Sequence, residues 1–324
     1  MTRRVSMADV AAMAGVSAQT VSRVVNDSPQ VDPATRAKVE AAMADLGYRM
    51  HRAARALRTG RTDTIGLIVS NLATVGNSRM LQALADAAAG RGFALTVVTA
   101  SGRAGVADGF ARLHDQGIDG AVILNEATAL ARGLDVPEGL ALVVVDSPPD
   151  DRFTVVQTDH ASGARVATEH LLARDVATVH HLAGPAGSFA AAERERGWRE
   201  ALIDADRPVP EVLRGDWTAA SGHAAVAASA ASADASALFV ANDQMALGAL
   251  RALSDAGRRV PDDVAVVGFD DVEDAADYRP PLSTVRQDFD ALGAAAVAAL
   301  VALIDGGEPQ STLLAPRFVA RASA

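Results

Sequence analysis

The chain has 324 residues, 49% hydrophobic and 4% aromatic, with a formal net charge of −10. That is enough for a small module joined to a two-lobed core, and the absence of cysteine excludes disulfides and thiolate metal sites while suiting a reducing compartment. No apolar run opens the chain as a secretory signal or is long enough to span a membrane, so the expectation is a cytoplasmic protein with no membrane partner.

Residues 6–25 read as a helix, a glycine turn and a second helix. Ser6, followed three residues later by Asp9, forms a capping box, so a helix begins at Met7. Val10, Ala11 and Ala14 share one face of it. Gly15 sits where the chain must turn with positive φ, and Ser17 caps the next helix. There Val21, Val24 and Val25 face inward. Ala18, Gln19, Ser22 and Arg23 are left outside near the amino-terminal end, which is the end a recognition helix inserts into the major groove. Gln19 can pair bidentately with adenine, Arg23 with guanine, and the methyl of Ala18 can touch thymine. An ordinary helical hairpin with a solvated face would also fit these residues.

Asp32 caps a third helix that starts at Pro33, and Gly47 ends it after Leu46. Residues 48–61 then carry arginine and alanine with almost no acid, including Arg52, Arg55 and the large apolar Leu57. Such a segment suits a minor-groove helix with a wedge, or a solvated interdomain linker. Charge separates this end from the rest. Residues 1–61 hold ten basic and five acidic residues, or +5; the remainder holds twenty and thirty-five, or −15. A basic head attracts phosphate while an acidic body is repelled by it, so the body is not the DNA reader.

From Thr64 onward apolar strands alternate with amphipathic helices. Strands are expected at Ile65–Val69, Leu95–Val98, Ala121–Leu124, Leu142–Val145, Val179–Leu182, Leu238–Val240 and Val264–Val267. Helices are expected at Arg79–Ala89, Ser162–Ala173, Ala190–Asp204, Ser221–Ser232 and Gln244–Asp255. Short, nearly uninterrupted apolar strands indicate parallel sheets covered on both faces. Ligands of open α/β sheets bind at the carboxyl ends of strands. The residues there are polar: Ser70, Asn125, Asp146, Asn242 and Asp270. Trp217 adds a flat surface on which a pyranose ring can lie. Each has a plainer reading too, since Asp270 and Asp271 could cap a helix and Trp217 could be core. His180 and His181 are adjacent, hence on opposite faces of a strand, and read as packing residues.

Several motifs occur together in one order. They are Asp9-Val-Ala, Ala14-Gly-Val-Ser, Thr20-Val-Ser-Arg-Val-Val-Asn26, Thr35-Arg, Lys38-Val-Glu-Ala-Ala-Met-Ala-Asp-Leu46, Val240-Ala-Asn-Asp-Gln-Met-Ala-Leu-Gly-Ala249, Val266-Val-Gly-Phe-Asp-Asp271 and Pro280-Pro-Leu-Ser-Thr-Val-Arg-Gln-Asp-Phe289. Over essentially its whole length the chain resembles the LacI–GalR family of bacterial transcriptional repressors, nearer to its lactose-responsive branch than to its purine-responsive one. The resemblance implies a small all-α helix-turn-helix DNA-binding domain plus hinge helix, joined to a two-lobed α/β core of periplasmic-binding-protein type with parallel sheets. The DNA-binding domain would be residues 1–61, with the hinge at about 51–59, and the effector and dimerisation core residues 62–324. Its N-lobe would hold about 62–160 and 290–316, its C-lobe about 161–289 and 317–324, with crossings near His160, Gln287–Asp290 and Pro316. Implied DNA contacts are Ser17, Ala18, Gln19, Thr20, Ser22, Arg23, Asn26, Arg52, Arg55 and Leu57. The implied effector set adds Ser188, Arg194, Gln287 and Phe289 to Ser70, Asn125, Asp146, Trp217, Asn242 and Asp270. Implied partners are a pseudo-palindromic operator, a small effector and a second copy of the chain, with no cofactor and no metal. After Phe318 the chain runs only to Ala324, without leucine heptads, so the expected assembly is a homodimer.

Departures from the family pattern are informative. The family commonly has an effector-gripping arginine five residues before the glycine of its Gly-Trp pair. Ala192 occupies that position here, which implies a lost forked donor, although Arg194 nearby could reach inward. Thr74, Gly76 and Asn77 stand where the lactose-responsive branch is more apolar. The expected effector is a carbohydrate, a β-galactoside or other disaccharide first, with a non-sugar effector such as a purine as the alternative. Met50-His51 replaces the usual Pro-Asn before the hinge; histidine is a poorer cap by about 1 kcal/mol, so the hinge helix is expected to form only on operator DNA. A solute-binding protein would share the core but have no use for residues 6–61. An enzyme is disfavoured: Asp270, Asp271, Glu273 and Asp274 cluster as glycosidase carboxylates might, but no nucleophile elbow, phosphate loop or His-x-x-x-His pair accompanies them.

Overall fold

The structure, a computed structural model, describes residues 5–25, 28–48, 60–229 and 235–324. Asn26, Met50-His51 and the hinge residues Arg52, Arg55 and Leu57 lie outside the described residues. The chain falls into two compact units, Met1–Thr62 and Asp63–Ala324.

The first unit contains three helices, α1 (Met7–Ala14), α2 (Ala18–Val25) and α3 (Pro33–Asp45). Ser6 and Asp9 close a reciprocal capping box at the start of α1, with the Ser6 amide donating to Asp9 at 2.8 Å. Gly15 ends α1 at φ +67°, a conformation that costs glycine nothing. The Ser17 hydroxyl then accepts from the Thr20 amide at 3.1 Å and starts α2. Asp32 accepts from the Ala34 and Thr35 amides, each at 3.0 Å, ahead of Pro33 at the first position of α3. The capped helices pack through Val10, Val21, Val24 and Val39, all buried. Each such valine contributes about 1.5 kcal/mol of apolar burial.

The second unit opens with β1 (Thr64–Val69), α4 (Val75–Gly90), β2 (Ala94–Thr99), α5 (Gly102–Asp115), β3 (Gly120–Leu124), α6 (Glu126–Ala131), β4 (Ala141–Val145) and β5 (Thr154–Thr158). These form one lobe. The chain then builds a second lobe from α7 (His160–Leu172), β6 (His180–Ala183), α8 (Phe189–Asp204), β7 (Leu213–Arg214), α9 (Ala219–Ala228), β8 (Ala237–Val240), α10 (Asp243–Asp255), β9 (Ala265–Asp270) and β10 (Ser283–Arg286). It returns to the first lobe with α11 (Phe289–Ile304) and β11 (Thr312–Leu314), and enters the second again with β12 (Arg317–Val319). The sheets run β11-β5-β4-β3-β1-β2 and β12-β10-β9-β8-β6-β7, so the chain passes between lobes three times, at residues 159, 287–288 and 315–316.

The first sheet is parallel throughout. The second is parallel except that β12 runs antiparallel to β10. The exception follows from the route: β10 leaves its sheet at the end facing the other lobe, and the last passage brings β12 back in through that same end. Ile65, Leu67, Val122, Leu124 and Val143 pack under α4 and α11 in the first lobe. Phe239, Val267 and Phe269 pack under α7 and α8 in the second, with Trp198 donating its indole N–H to the Val179 carbonyl at 2.9 Å. Gly197 lets α8 lie against α7, since a Cβ there would overlap the Ala161 carbonyl.

Of the adjacent histidines, His181 is wholly buried, stacks on Phe239 at 4.8 Å and places Nδ1 3.0 Å from the Phe239 carbonyl. Burial pulls its pKa down to about 4. Helices α5, α6 and α11 and strands β5, β7, β10, β11 and β12 had no counterpart in the sequence reading. Helix α11, Phe-Asp-Ala-Leu-Gly-Ala-Ala-Ala-Val-Ala-Ala-Leu-Val-Ala-Leu-Ile, is apolar around most of its girth, so no stripe marks its period.

Candidate functional site

In the first unit, the start of α2 presents Ser17, Ala18, Gln19 and Arg23 as exposed side chains, while Thr20 and Ser22 are half-buried. The Thr20 hydroxyl is tied to Ser17 at 2.9 Å. The exposed side chains of α2 therefore include an amide, a guanidinium and a methyl group, opposite an apolar face that contains Val21 and Val24.

In the second unit, the carboxyl ends of the parallel strands of both lobes converge on one cleft. Asn125, Asp146, Trp217 and Asp270 follow or end strands β3, β4, β7 and β9, and their φ angles are +47°, +51°, +75° and +112°. Such conformations cost about 1–3 kcal/mol each for residues with a Cβ and persist where the surroundings over-determine them. Trp217 lies against Gly184; a Cβ at Gly184 would overlap the indole. Asn242 caps α10, accepting from the Met245 amide at 2.9 Å, and its amide donates to the Trp217 carbonyl at 3.1 Å. Ser188 caps α8 in the same way. Helix starts thus put two polar side chains at the cleft while satisfying their own amides.

Arg194 is the centre of the polar network. It is 4% exposed, and its guanidinium donates to the Ala241 carbonyl, to Asp270 Oδ1 at 3.4 Å and to His160 Nδ1 at 3.4 Å. The guanidinium also covers the Phe269 ring at 3.8 Å. Because His160 accepts at Nδ1, its ring proton sits on Nε2, which lies 3.0 Å from Asp146 Oδ1. Asp146, His160, Arg194 and Asp270 thus lie one after another across the first passage, with Asp146 and His160 in close contact but not hydrogen-bonded. Burial raises the Asp270 pKa to about 6, against the opposing pull of Arg194 and His160. Burial also lowers the basicity of Arg194, opposed by Asp270, Asp146 and Asp243. The side-chain amide oxygen of the buried Gln287, at the second passage, makes no hydrogen bond among the described residues.

The cleft brings together Asn125, Asp146, Ser188, Arg194, Trp217, Asn242, Asp270, Gln287 and Phe289. Ser70 is not among the lining residues. The loop after β1 turns so that the start of α4 reaches the cleft instead, with Thr74, Gly76, Asn77 and Met80 in its place. The expected loss of a forked donor is also corrected. Ala192 faces solvent and Arg194 points inward, because Ala191, Arg194, Gly197 and Trp198 share the buried stripe of α8. That spacing was readable in the sequence. Asp270 and Asp271 do not cap the short 3₁₀ turn at Glu273–Asp277; Asp271 instead pairs with Arg286 and Arg321. Sequence reasoning missed Met80, Glu126, Ala190 and His160. Among the described residues no cluster of acidic or histidine side chains could hold a metal ion, and no helix is long and apolar enough to cross a membrane.

Residues 6–50 match the lacI family of bacterial regulatory proteins, and residues 168–324 match the periplasmic binding protein-like domain. The chain is 39% identical to the lactose operon repressor of Escherichia coli K12, over 96% of its own length and 88% of that protein. It is 38% identical to the HTH-type transcriptional regulator CelR of Thermobifida fusca, over 99% and 98%. Among solved structures it superposes with TM-score 0.88 on the lac repressor dimer bound to operator and the anti-inducer ONPF, at 35% identity and 99% coverage of both chains. It superposes with TM-score 0.74 on the CelR–cellobiose complex, at 34% identity, covering 99% of this chain and 100% of that one.

Proposed function

Since the chain belongs to the lacI family of bacterial regulatory proteins, we propose that it is a sequence-specific transcriptional repressor whose operator affinity is set by a small carbohydrate. Residues 1–61 read the DNA, through Ala18, Gln19 and Arg23 on α2 and through the hinge segment at about 51–59. Residues 62–324 bind the effector and dimerise, and a homodimer presents two α2 helices to the halves of a pseudo-palindrome. The protein acts in the cytoplasm, where its operator is. Its relatives are repressors and regulators by name, and we assign it no reaction.

The observation that carries the effector reading is the donor and acceptor set of the cleft. Asp146, Asp270, Asn125, Asn242, Gln287 and the fork of Arg194 surround a single indole surface. Hydroxyl groups both donate and accept, so they satisfy carboxylate, amide and guanidinium partners at once, and an indole face suits the apolar side of a pyranose. The structure of CelR, a relative that matches over the full chain, is a complex with cellobiose. By linkage, a sugar that binds the DNA-free dimer more tightly releases the operator, and one that binds the DNA-bound form more tightly strengthens it. Titrating the full-length protein with neutral sugars, phosphosugars and purines, with and without operator, tests this. Tight purine binding without sugar binding would overturn the carbohydrate assignment.

A further inference from the structure

Glu126 opens α6 in the first lobe, directly after Asn125, and lines the cleft beside it. Its carboxylate accepts a hydrogen bond from the indole N–H of Trp217, in the second lobe, at 3.3 Å. Glu126 is half-buried, and the described residues place no cation in an ion pair with it. A carboxylate has about four acceptor positions, and one long bond to an indole leaves most of them for other partners.

We propose that Glu126 is a specificity-determining residue that selects what lies over the Trp217 edge of the cleft: a hydroxylated, uncharged ring. This rests on the carbohydrate reading above and names the effector class as a neutral disaccharide rather than a glycoside with an apolar aglycone or a phosphosugar. Three comparisons lead there. Adjacent hydroxyls of a sugar ring donate to Glu126 and keep it solvated. An aryl or alkyl group in the same place strips water from the carboxylate and returns no hydrogen bond. A phosphate group meets Glu126, Asp146 and Asp270 against the single guanidinium of Arg194, an excess of negative charge in a confined space. Asn77 extends the same logic, because it receives the Asn125 amide and makes the adjoining wall of the first lobe polar.

Calorimetry on the full-length protein decides it, using cellobiose against phenyl β-glucoside and lactose against phenyl β-galactoside. Within each pair only the aglycone differs. The wild type should prefer the disaccharide in the pair whose first ring it accepts. Glu126→Leu should lower disaccharide affinity at least about tenfold and leave or improve the phenyl glycoside, while Glu126→Gln, which keeps an acceptor, should lose less than about fivefold. The ratio of the two affinities is unaffected by the fraction of folded protein. A ratio unchanged between wild type and Glu126→Leu would overturn the role of Glu126 and leave the carbohydrate reading standing. Binding of none of the four sugars by the wild type would overturn the disaccharide class proposed here.

Discussion

Arg194 and Asp270 meet 3.4 Å apart at the base of the cleft, each about 95% buried, and neither can be changed without stranding the other. Three partners of Arg194 lie in different directions, and only a planar fork reaches them together. Arg194→Lys keeps the charge and loses the geometry. It should lower effector affinity at least about tenfold with a stability loss of about 1–2 kcal/mol, whereas Arg194→Ala should cost about 3–5 kcal/mol by leaving Asp270 buried and unpaired. Calorimetric titration and urea unfolding separate the two effects.

Two buried groups should oppose each other in the acid range. The His181 pKa is depressed to about 4 from 6.5, so the stability it supports is present above about pH 6.5 and is lost as pH falls toward 4. The Asp270 pKa is raised to about 6 from 3.8, so its contribution is present below about pH 4 and is lost as pH rises through 6. Between about pH 7 and pH 5 the histidine loses on the order of 2 kcal/mol and the carboxylate regains on the order of 1 kcal/mol. The wild type should therefore lose only about 1 kcal/mol there. Asp270→Asn should fall more steeply toward pH 5, and His181→Phe should rise. Denaturation midpoints across that range test the slopes; parallel slopes for all three proteins would count against the argument.

Gly184→Ala should weaken the effector site while sparing the fold. The added Cβ overlaps the Trp217 ring, and that ring is only half-buried, so its displacement disturbs the cleft more than the core. We expect effector affinity to fall by about tenfold and unfolding free energy to change by less than about 1.5 kcal/mol. Calorimetric titration measures the first quantity and urea unfolding followed by circular dichroism the second.

On the DNA side, Arg23→Ala and Gln19→Ala should each cost about 1–3 kcal/mol on the preferred operator and relax the choice of base at one position per half-site. Both side chains are exposed, so the fold should be unaffected. Fluorescence anisotropy with a set of singly substituted operators measures both quantities; a uniform loss across all operators would instead mark a phosphate contact.

Much of the site could be read from residue order because a parallel strand delivers its last residue to one edge of the sheet. Asn125, Asp146 and Asp270 were found by that rule alone. The rule failed at Ser70, where the residues that reach the cleft belong to the start of α4, several residues later in the chain. It also failed at Arg194, whose orientation depends on which face of α8 meets α7, and that face was judged by a family position rather than by the spacing of Ala191, Gly197 and Trp198.

Sequence alone determined the elements whose signals are local: the capping box at Ser6, the glycine turn at Gly15, the valine face of α2, and the apolar strands with polar residues at their ends. These depend on hydrogen bonds and packing within a few residues. Tertiary structure alone decided the pairings between residues distant in the chain: Asp146 with His160, Arg194 with Asp270, Glu126 with Trp217. Each partner comes from a different strand or helix, and two of these pairs span both lobes. Their meeting depends on three chain passages and on the close approach permitted at Gly184 and Gly197, which no local pattern encodes.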